Sequence, residues 1–237
     1  MMDLKNAKII ITGGSSGIGK VTAQQCIQKG AKVLITGRDE VKLKQVAEQI
    51  GALHLASDIS KLKEIPKMAE EAIGLLGGDV DVLINNAGIG VFPKLGDITI
   101  DDLEQIYHTN VFGLTLFTQE VVKLMKSKRQ GTIINIGSTA SLKGFAGGSV
   151  YAASKFAVRG MTQSWQAELR KYNIRVCLVN PSEVTTAFAQ DNRAERKEVS
   201  NKLSSQEIAD TLISVIEMRD KGFIPEVTVW ATNPFDR

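Results

Sequence analysis

Apolar residues along this chain gather into short runs of Ile, Val and Leu, separated by longer amphipathic stretches. The runs Lys8–Thr12, Lys32–Thr36, Leu53–Ala56, Val80–Asn85, Thr132–Ile136, Arg175–Asn180 and Glu226–Trp230 have strand length and composition. Most show no alternation of apolar and polar positions, a sign that both strand faces are covered. Helical periodicity marks segments 17–29, 39–50, 61–76, 101–127, 151–172 and 205–220. Strands alternating with helices predict a parallel sheet with helices on both faces. Right-handed crossovers make such a sheet doubly wound. The expected fold class is therefore α/β, with a seven-stranded, mostly parallel sheet. No Pro-rich or Ser-rich linker interrupts the pattern, so residues 1–237 read as a single domain. Segment 187–204 departs from it, being highly polar and long for a connection within a compact domain. Such segments often cover binding sites, and a substrate lid is expected there.

Composition narrows the function classes. A chain of 237 residues with 43% apolar and 23% charged residues has ample material for a core and none of the bias of disordered or fibrous sequences. The formal net charge of +3 is too slight to argue for nucleic acid or an anionic membrane as a partner. The cluster Lys123, Lys126, Lys128 and Arg129 falls at the end of a predicted helix, where cations complement the helix dipole. Cys26 and Cys177 have neither metal-type nor redox-type spacing and read as small buried hydrophobes. His54 and His108 are isolated, so no metal site is expected. The N-terminus lacks the apolar stretch of a signal peptide, and no segment approaches the ~20 apolar residues of a membrane span. A soluble protein of the reducing cytoplasm is the expectation.

Two places carry candidate chemistry. The first strand runs into Thr12-Gly-Gly-Ser-Ser-Gly-Ile-Gly19, and a helix follows. Gly13 permits a tight turn, Gly17 lets a phosphate approach the backbone, and Gly19 allows close helix packing. The helix N-terminus offers N–H groups and partial positive charge to a pyrophosphate. The spacing G-x-x-x-G-x-G differs from the usual dinucleotide pattern, yet its place after the first strand indicates nucleotide binding in a Rossmann arrangement. The second strand ends Ile35-Thr-Gly-Arg38. Gly37 stands where NAD sites carry an acid, and Arg38 can pair with a 2′-phosphate, which favours NADP(H). Asp39 follows, and an extended strand would bring its carboxylate near the ribose. Asp58, after the third strand, suits either an adenine amino group or a helix cap.

The second place is Tyr151-Ala-Ala-Ser-Lys155. Residues four apart share a helix face. A phenol of pKa near ~10 is a poor proton shuttle at neutral pH, and an adjacent ammonium is expected to lower it. Tyr151 would then serve as general acid in reduction and general base in oxidation. Ser138 follows the strand Thr132–Ile136, at the carboxyl edge where parallel sheets bind ligands. It could hydrogen-bond a substrate carbonyl.

Together, Thr12-Gly-x-x-x-Gly-x-Gly19, Asn85-Asn-Ala-Gly88, Asn110, Ser138 and Tyr151-x-x-x-Lys155 resemble the short-chain dehydrogenase/reductase family, in its single-domain branch. The resemblance implies catalytic roles for Ser138, Tyr151 and Lys155, with Lys155 also holding the nicotinamide ribose. It implies Asn110 as a fourth member supporting a water relay to the lysine. Its cofactor set would be Gly13, Ser15, Ser16, Gly17, Ile18, Gly19, Arg38, Asp58, Ile59, Asn86, Ala87, Gly88, Tyr151, Lys155, Pro181, Val184 and Thr186. Asn85 and Gly88 could equally be structural. Where the family usually has Pro-Gly, this chain has Pro181-Ser182, followed by Glu183. A positive φ there would strain the serine. The resemblance further implies a homotetramer or homodimer, packed through helices 101–127 and 151–172. The expected substrate is a small carbonyl or alcohol. The readings are a 3-oxoacyl-carrier-protein reductase taking acyl thioesters, or a reductase of small ketones, hydroxy acids or sugars. A nucleotide-sensing regulator without catalysis and a nucleotide-sugar epimerase are the rivals. The complete Ser-Tyr-Lys set weighs against the first, and the short C-terminal region against the second.

Overall fold

The computed structural model describes residues 3–188 and 196–235. Seven strands form one sheet: β1 (Lys8–Thr12), β2 (Lys32–Gly37), β3 (Leu53–Ala56), β4 (Val82–Asn85), β5 (Gly131–Ile136), β6 (Ile174–Pro181) and β7 (Glu226–Val229). Their order is β3-β2-β1-β4-β5-β6-β7. Every pairing is parallel, including β7, so "mostly parallel" was too cautious an expectation. The helices are α1 (Gly17–Gln28), α2 (Glu40–Ile50), α3 (Ile65–Leu75), α4 (Ile100–Tyr107), α5 (Leu114–Lys128), α6 (Ser149–Leu169) and α7 (Ser205–Ile216).

Burial follows the run-like sequence pattern. Residues 9–11, 33–35, 82–84 and 176–179 are buried almost completely. Alternate side chains of these strands enter two cores. One packs Ile9, Ile11, Val33 and Ile35 against α1, α2 and α7; the other packs Ile10, Leu34, Leu83 and Ile133 against α3 and α5. Cys26 and Cys177 are buried free thiols, and burial pushes both up to about 12.

Several predicted boundaries move for local reasons. Strand β4 begins at Val82 rather than Val80, because Asp79 and Asp81 lie at its mouth and share the Lys128 ammonium at 2.8 Å each. Lys128 is thus an ion-pair partner as well as a helix-end cation. Segment 101–127 is not one uniform helix. A π-helical turn, His108–Gly113, separates α4 from α5. Such an insertion does not alter apolar periodicity enough to be read from sequence. Segments 61–76 and 151–172 likewise include short 3-10 turns, at Leu62–Glu64 and Arg170–Tyr172. Strand β7 stops at Val229, leaving Trp230 outside. Among the described residues, no helix is long and apolar enough to cross a membrane.

One polar chain crosses the buried layers. Asn85 Nδ2 donates to Thr118 Oγ1 and to Asn135 Oδ1, both at 2.8 Å, and Asn135 Nδ2 donates to Thr162 Oγ1 at 2.8 Å. It ties α5, β4, β5 and α6 together just below the carboxyl edge of the sheet. Replacing Asn135 with Leu strips partners from two buried groups. Urea unfolding should show a lower midpoint with an unchanged slope, corresponding to a loss of about 1–3 kcal/mol. An unchanged midpoint would mean that the chain of amides adds nothing to stability.

Candidate active site

Beyond the carboxyl edge lies a cleft of about 780 Å³. It opens where the crossovers diverge, between β1 and β4. The Thr12 hydroxyl accepts the N–H groups of Asn86 (3.1 Å) and Ala87 (3.0 Å). In return, the Asn86 amide donates to the carbonyls of Thr12 (3.0 Å) and Gly13 (2.9 Å). This reciprocal clamp holds the glycine turn. Gly13 and Gly17 have φ of +68° and +52°, which favour glycine. A Cβ on Gly13 would meet Ala87 Cα at 2.8 Å, and one on Gly19 would meet the Gly13 carbonyl oxygen at 2.5 Å. Gly19 thus serves close packing within the turn rather than helix-on-sheet packing. Asn86, expected along the cofactor, spends its side chain on the turn itself.

The cleft fits a dinucleotide on the chemistry of its walls. Ser16 makes no side-chain cap on α1, and the first turn of α1 holds no acid, so the positive end of the helix faces the cleft. Ser15, Ser16, Gly17 and Ile18 line it together with Asp58, Ile59, Ala87, Gly88, Pro181 and Val184, and Thr186 packs close to Gly17. Arg38 is exposed on the rim and meets no acidic partner among the described residues. Asp39 is diverted. It is the N-cap of α2 and accepts the Lys42 N–H at 3.0 Å, so β2 does not extend to carry it into the cleft. Asp58 does both things open to it: it lines the cleft, and its Oδ1 accepts from Ser60 N (3.0 Å) and Ser60 Oγ (2.7 Å).

Ser138, Tyr151 and Lys155 come together at the inner end of the same cleft. Ser138 caps a 3-10 turn, Thr139–Ser141, and accepts the Ala140 N–H at 3.1 Å. Its own N–H lies 3.2 Å from Asn180 Oδ1. Asn180 donates to Glu226 (2.9 Å), which pairs with Arg159 (3.1 Å). Asn180, Glu226 and Arg159 therefore brace the serine, a support that nothing local in the sequence marks. Lys155 is 6% exposed, and its Nζ donates to the Ile136 carbonyl at 2.8 Å. That Nζ sits 5.9 Å from the centre of the Tyr151 ring.

The expected tuning of Tyr151 is reversed in the free site. Burial pushes its hydroxyl up to about 12, and the neighbouring Ser138 hydroxyl pulls back only partly. Burial also brings Lys155 down to about 8. Desolvation is thus the dominant influence on both groups, and on Tyr151 it favours the protonated phenol.

Asn110 belongs to the π-helical turn and is almost wholly buried. Its Oδ1 accepts the Ile89 N–H (2.9 Å), and its Nδ2 donates to the Ile89 carbonyl (3.0 Å) and Ser154 Oγ (3.1 Å). Those bonds position the strand β4 turn against α6. None reaches Lys155, although a Cβ on Gly88 would stand 3.3 Å from Asn110 Oδ1 and 3.8 Å from Lys155 Nζ. Asn85 is structural, within the buried amide chain.

On the outer side, Ser182 has no positive φ, and its N–H donates to the Val229 carbonyl at 2.9 Å. A glycine is not required there. Glu183 pairs with Lys202 (2.8 Å) and Arg196 (3.2 Å), and these cations hold its carboxyl below the usual carboxylate range. Arg196 also donates to the carbonyls of Val184 (2.8 Å) and Thr186 (3.2 Å). Of the expected lid 187–204, residues 189–195 lie outside the described residues; the remainder is fastened through Arg196 and a bridge between Val184 and Leu203. Three phenylalanines also escaped the sequence reading. Phe92, Phe145 and Phe188 line the cleft around Tyr151.

Known proteins resemble this chain in sequence and in fold. A 3-dehydrosphinganine reductase of Danio rerio is 32% identical, aligned over 86% of this chain and 64% of its own length. The chain thus spans about three-fifths of the first such relatives, between 61% and 64% of the fish and bovine reductases. An NADP-dependent 3-hydroxy acid dehydrogenase of Schizosaccharomyces pombe is 33% identical over 98% of this chain and 95% of its own. The crystal structure of a 3-ketoacyl-(acyl-carrier-protein) reductase from Brucella melitensis complexed with NADH superposes with a TM-score of 0.86 at 27% identity, covering 98% of this chain and 100% of that one. Residues 7–197 match the family described as short chain dehydrogenase, and on that match, with the seven-stranded fold, this chain is a member of the short-chain dehydrogenase family, oxidoreductases acting on alcohols and carbonyls.

Proposed function

We propose that this chain interconverts a carbonyl and an alcohol with NADP(H), using Tyr151 as the proton donor and acceptor. The carrying observation is the convergence of Ser138, Tyr151 and Lys155 on one cleft that the glycine turn and the first turn of α1 also line. A nicotinamide cofactor, when bound, supplies or accepts the hydride, and the protein handles orientation and the proton. Ser138 Oγ hydrogen-bonds the substrate oxygen and aligns it with the phenol. Tyr151, protonated at neutral pH, donates its proton to that oxygen as the alcohol forms. Lys155, held by Ile136, places its ammonium near the phenol and favours the tyrosinate left behind. Asn110 acts as a positioning residue through Ile89 and Ser154.

The preference for NADP(H) is supported by Gly37 at the end of β2, by Arg38 on the rim, which meets no acidic partner among the described residues, and by the diversion of Asp39 into a helix cap. The relative from S. pombe carries the same dependence in its name; the Brucella structure holds NADH. Two substrate readings follow from those relatives: 3-oxoacyl thioesters and small hydroxy acids.

Three measurements test this function. Tyr151→Phe should lower kcat for ketone reduction about 10²- to 10⁴-fold while cofactor affinity, read by NADPH fluorescence, is unchanged. A mutant with near-normal kcat would remove Tyr151 from the chemistry. Arg38→Ala should lower kcat/KM for NADPH on the order of 10- to 100-fold, the loss of a charge-assisted contact, with little effect on NADH. Wild-type protein that prefers NADH would overturn the cofactor assignment. Lys155 is lowered to about 8, so its ammonium is present below that pH and is lost above it. kcat/KM for reduction should therefore decline as pH rises through about 8, whereas a flat profile into the alkaline range would show that the ammonium is dispensable.

A further inference from the structure

The substrate end of the cleft is walled by aromatic rings that the fold leaves uncovered. Phe92, Phe145 and Phe188 come from three separate loops, after β4, before α6 and after β6. They are 43%, 51% and 37% exposed, respectively, although all three line the cleft. Their rings form a continuous surface with the phenol: Phe92 to Tyr151 is 5.3 Å between centres, Tyr151 to Phe188 5.6 Å, and Phe92 to Phe145 6.2 Å. Glycines seat them. A Cβ on Gly90 would stand 2.7 Å from the Phe92 ring and 2.9 Å from the Phe188 ring, and one on Gly148 would stand 2.5 Å from the Phe145 ring. Each seat is open only because the side chain is absent, so the rings lie where a larger residue would push them away. Large rings partly exposed beside a reactive hydroxyl offer favourable burial to an apolar ligand, with ring–ring geometry adding to the area term.

The cations at this end already have hydrogen-bond partners. Among the described residues, the cations lining the cleft are Arg38, Lys155 and Arg196. Arg38 stands on the β2 side, at the far end from the phenol. Lys155 Nζ is given to the Ile136 carbonyl beneath Tyr151. The three guanidinium nitrogens of Arg196 donate to Thr186, Glu183 and Val184. A carboxylate bound against the three rings would lose water there, and the rings themselves offer it no hydrogen-bond donor, which is costly for an ion.

Resting on the carbonyl-reductase reading of the site, we propose that its substrate is a carbonyl compound uncharged around the carbonyl and carrying a bulky apolar or aryl group, which Phe92, Phe145 and Phe188 bind. The class is that of acyl esters, acyl thioesters and aryl ketones rather than hydroxy acids or keto acids. Gly90 is a positioning residue for two of the rings.

Four compounds separate the two variables: acetoacetate, ethyl acetoacetate, benzoylacetate and ethyl benzoylacetate. kcat/KM is measured with NADPH, and binding to the protein–NADP complex is measured by calorimetry. Each ester should exceed its acid, and each phenyl compound its methyl counterpart, by about 10-fold or more, a factor of the size hydrophobic pockets deliver. Phe92→Ala, Phe188→Ala and Gly90→Ala should compress the phenyl-to-methyl ratio, chiefly through KM and the binding constant. Acids that match or surpass the esters would overturn the proposal, as would a phenyl-to-methyl ratio near one or a ratio untouched in all three variants. Binding settles the case without turnover. Esters that bind with the expected order but are not reduced would sink the oxidoreductase chemistry and leave the aromatic subsite standing. Failure of all four to bind would overturn the subsite itself.

Discussion

Everything in this molecule depends on keeping two adjacent parallel strands apart in function while they stay paired in register. β1 and β4 are hydrogen-bonded neighbours, yet their outgoing connections turn away from each other. A crevice must form beyond their ends. Left alone, the exposed backbone there would be free to relax into other turns. Thr12 and Asn86 prevent this: two hydrogen bonds join them, the Thr12 hydroxyl also accepts from Ala87, and the Asn86 amide also donates to Gly13. The clamp explains why Gly13 and Gly19 must be glycine: the chains approach so closely that a Cβ would strike Ala87 or the Gly13 carbonyl. It also fixes the direction of α1, whose N-terminus then faces the cleft with no acid to oppose an anion. The same crevice is bounded on its other side by β5, which delivers Ser138 and, through the Ile136 carbonyl, anchors Lys155.

The sequence makes the parallel sheet and the chemical triad legible for one reason: each leaves a short-range mark. Strands covered on both faces read as unbroken Ile and Val runs, and a Tyr four residues before a Lys needs only helical geometry to bring the pair together. What stayed hidden is long-range. The brace on Ser138 joins residues 138, 180, 226 and 159, and no local pattern connects them. The π-helical turn around Asn110 changes register without changing the apolar stripe. The aromatic wall comes from three loops separated by more than forty residues each, and loops carry no periodicity to read. Asp39 was ambiguous for a different reason. A carboxylate after a strand can face a ribose or cap a helix, and only the strand's end at Gly37 decides between them.

Ser182 and Glu183 show how a departure from a family's usual residues can be absorbed. The serine adopts no left-handed φ and simply hydrogen-bonds β7. The glutamate next to it could have placed a bare negative charge at the mouth of the site. Instead it draws Arg196 and Lys202 onto itself, and Arg196 in turn takes up the carbonyls of Val184 and Thr186. One carboxylate therefore fastens both ends of the outer loop and uses up a cation that would otherwise face the substrate.

The electrostatics of the inner site follow from the same dryness that makes the aromatic wall attractive. Removing water from a phenol and an ammonium shifts both toward their neutral forms, which raises Tyr151 and lowers Lys155. Both shifts come from the same desolvation and disfavour the charged form of each group. A phenol near 12 holds its proton across the neutral range, and as a weak acid it needs positive charge beside it to release that proton. An ammonium near 8 is still charged at neutral pH, so it can receive the tyrosinate that reduction leaves. On the proposed reading, the free site thus holds the proton that reduction consumes. Operating it as a base requires added positive charge beside the phenol or a higher pH, and a higher pH removes the lysine's charge first. The same dry surroundings thus act on both partners of the proposed proton transfer, raising the phenol and lowering the ammonium.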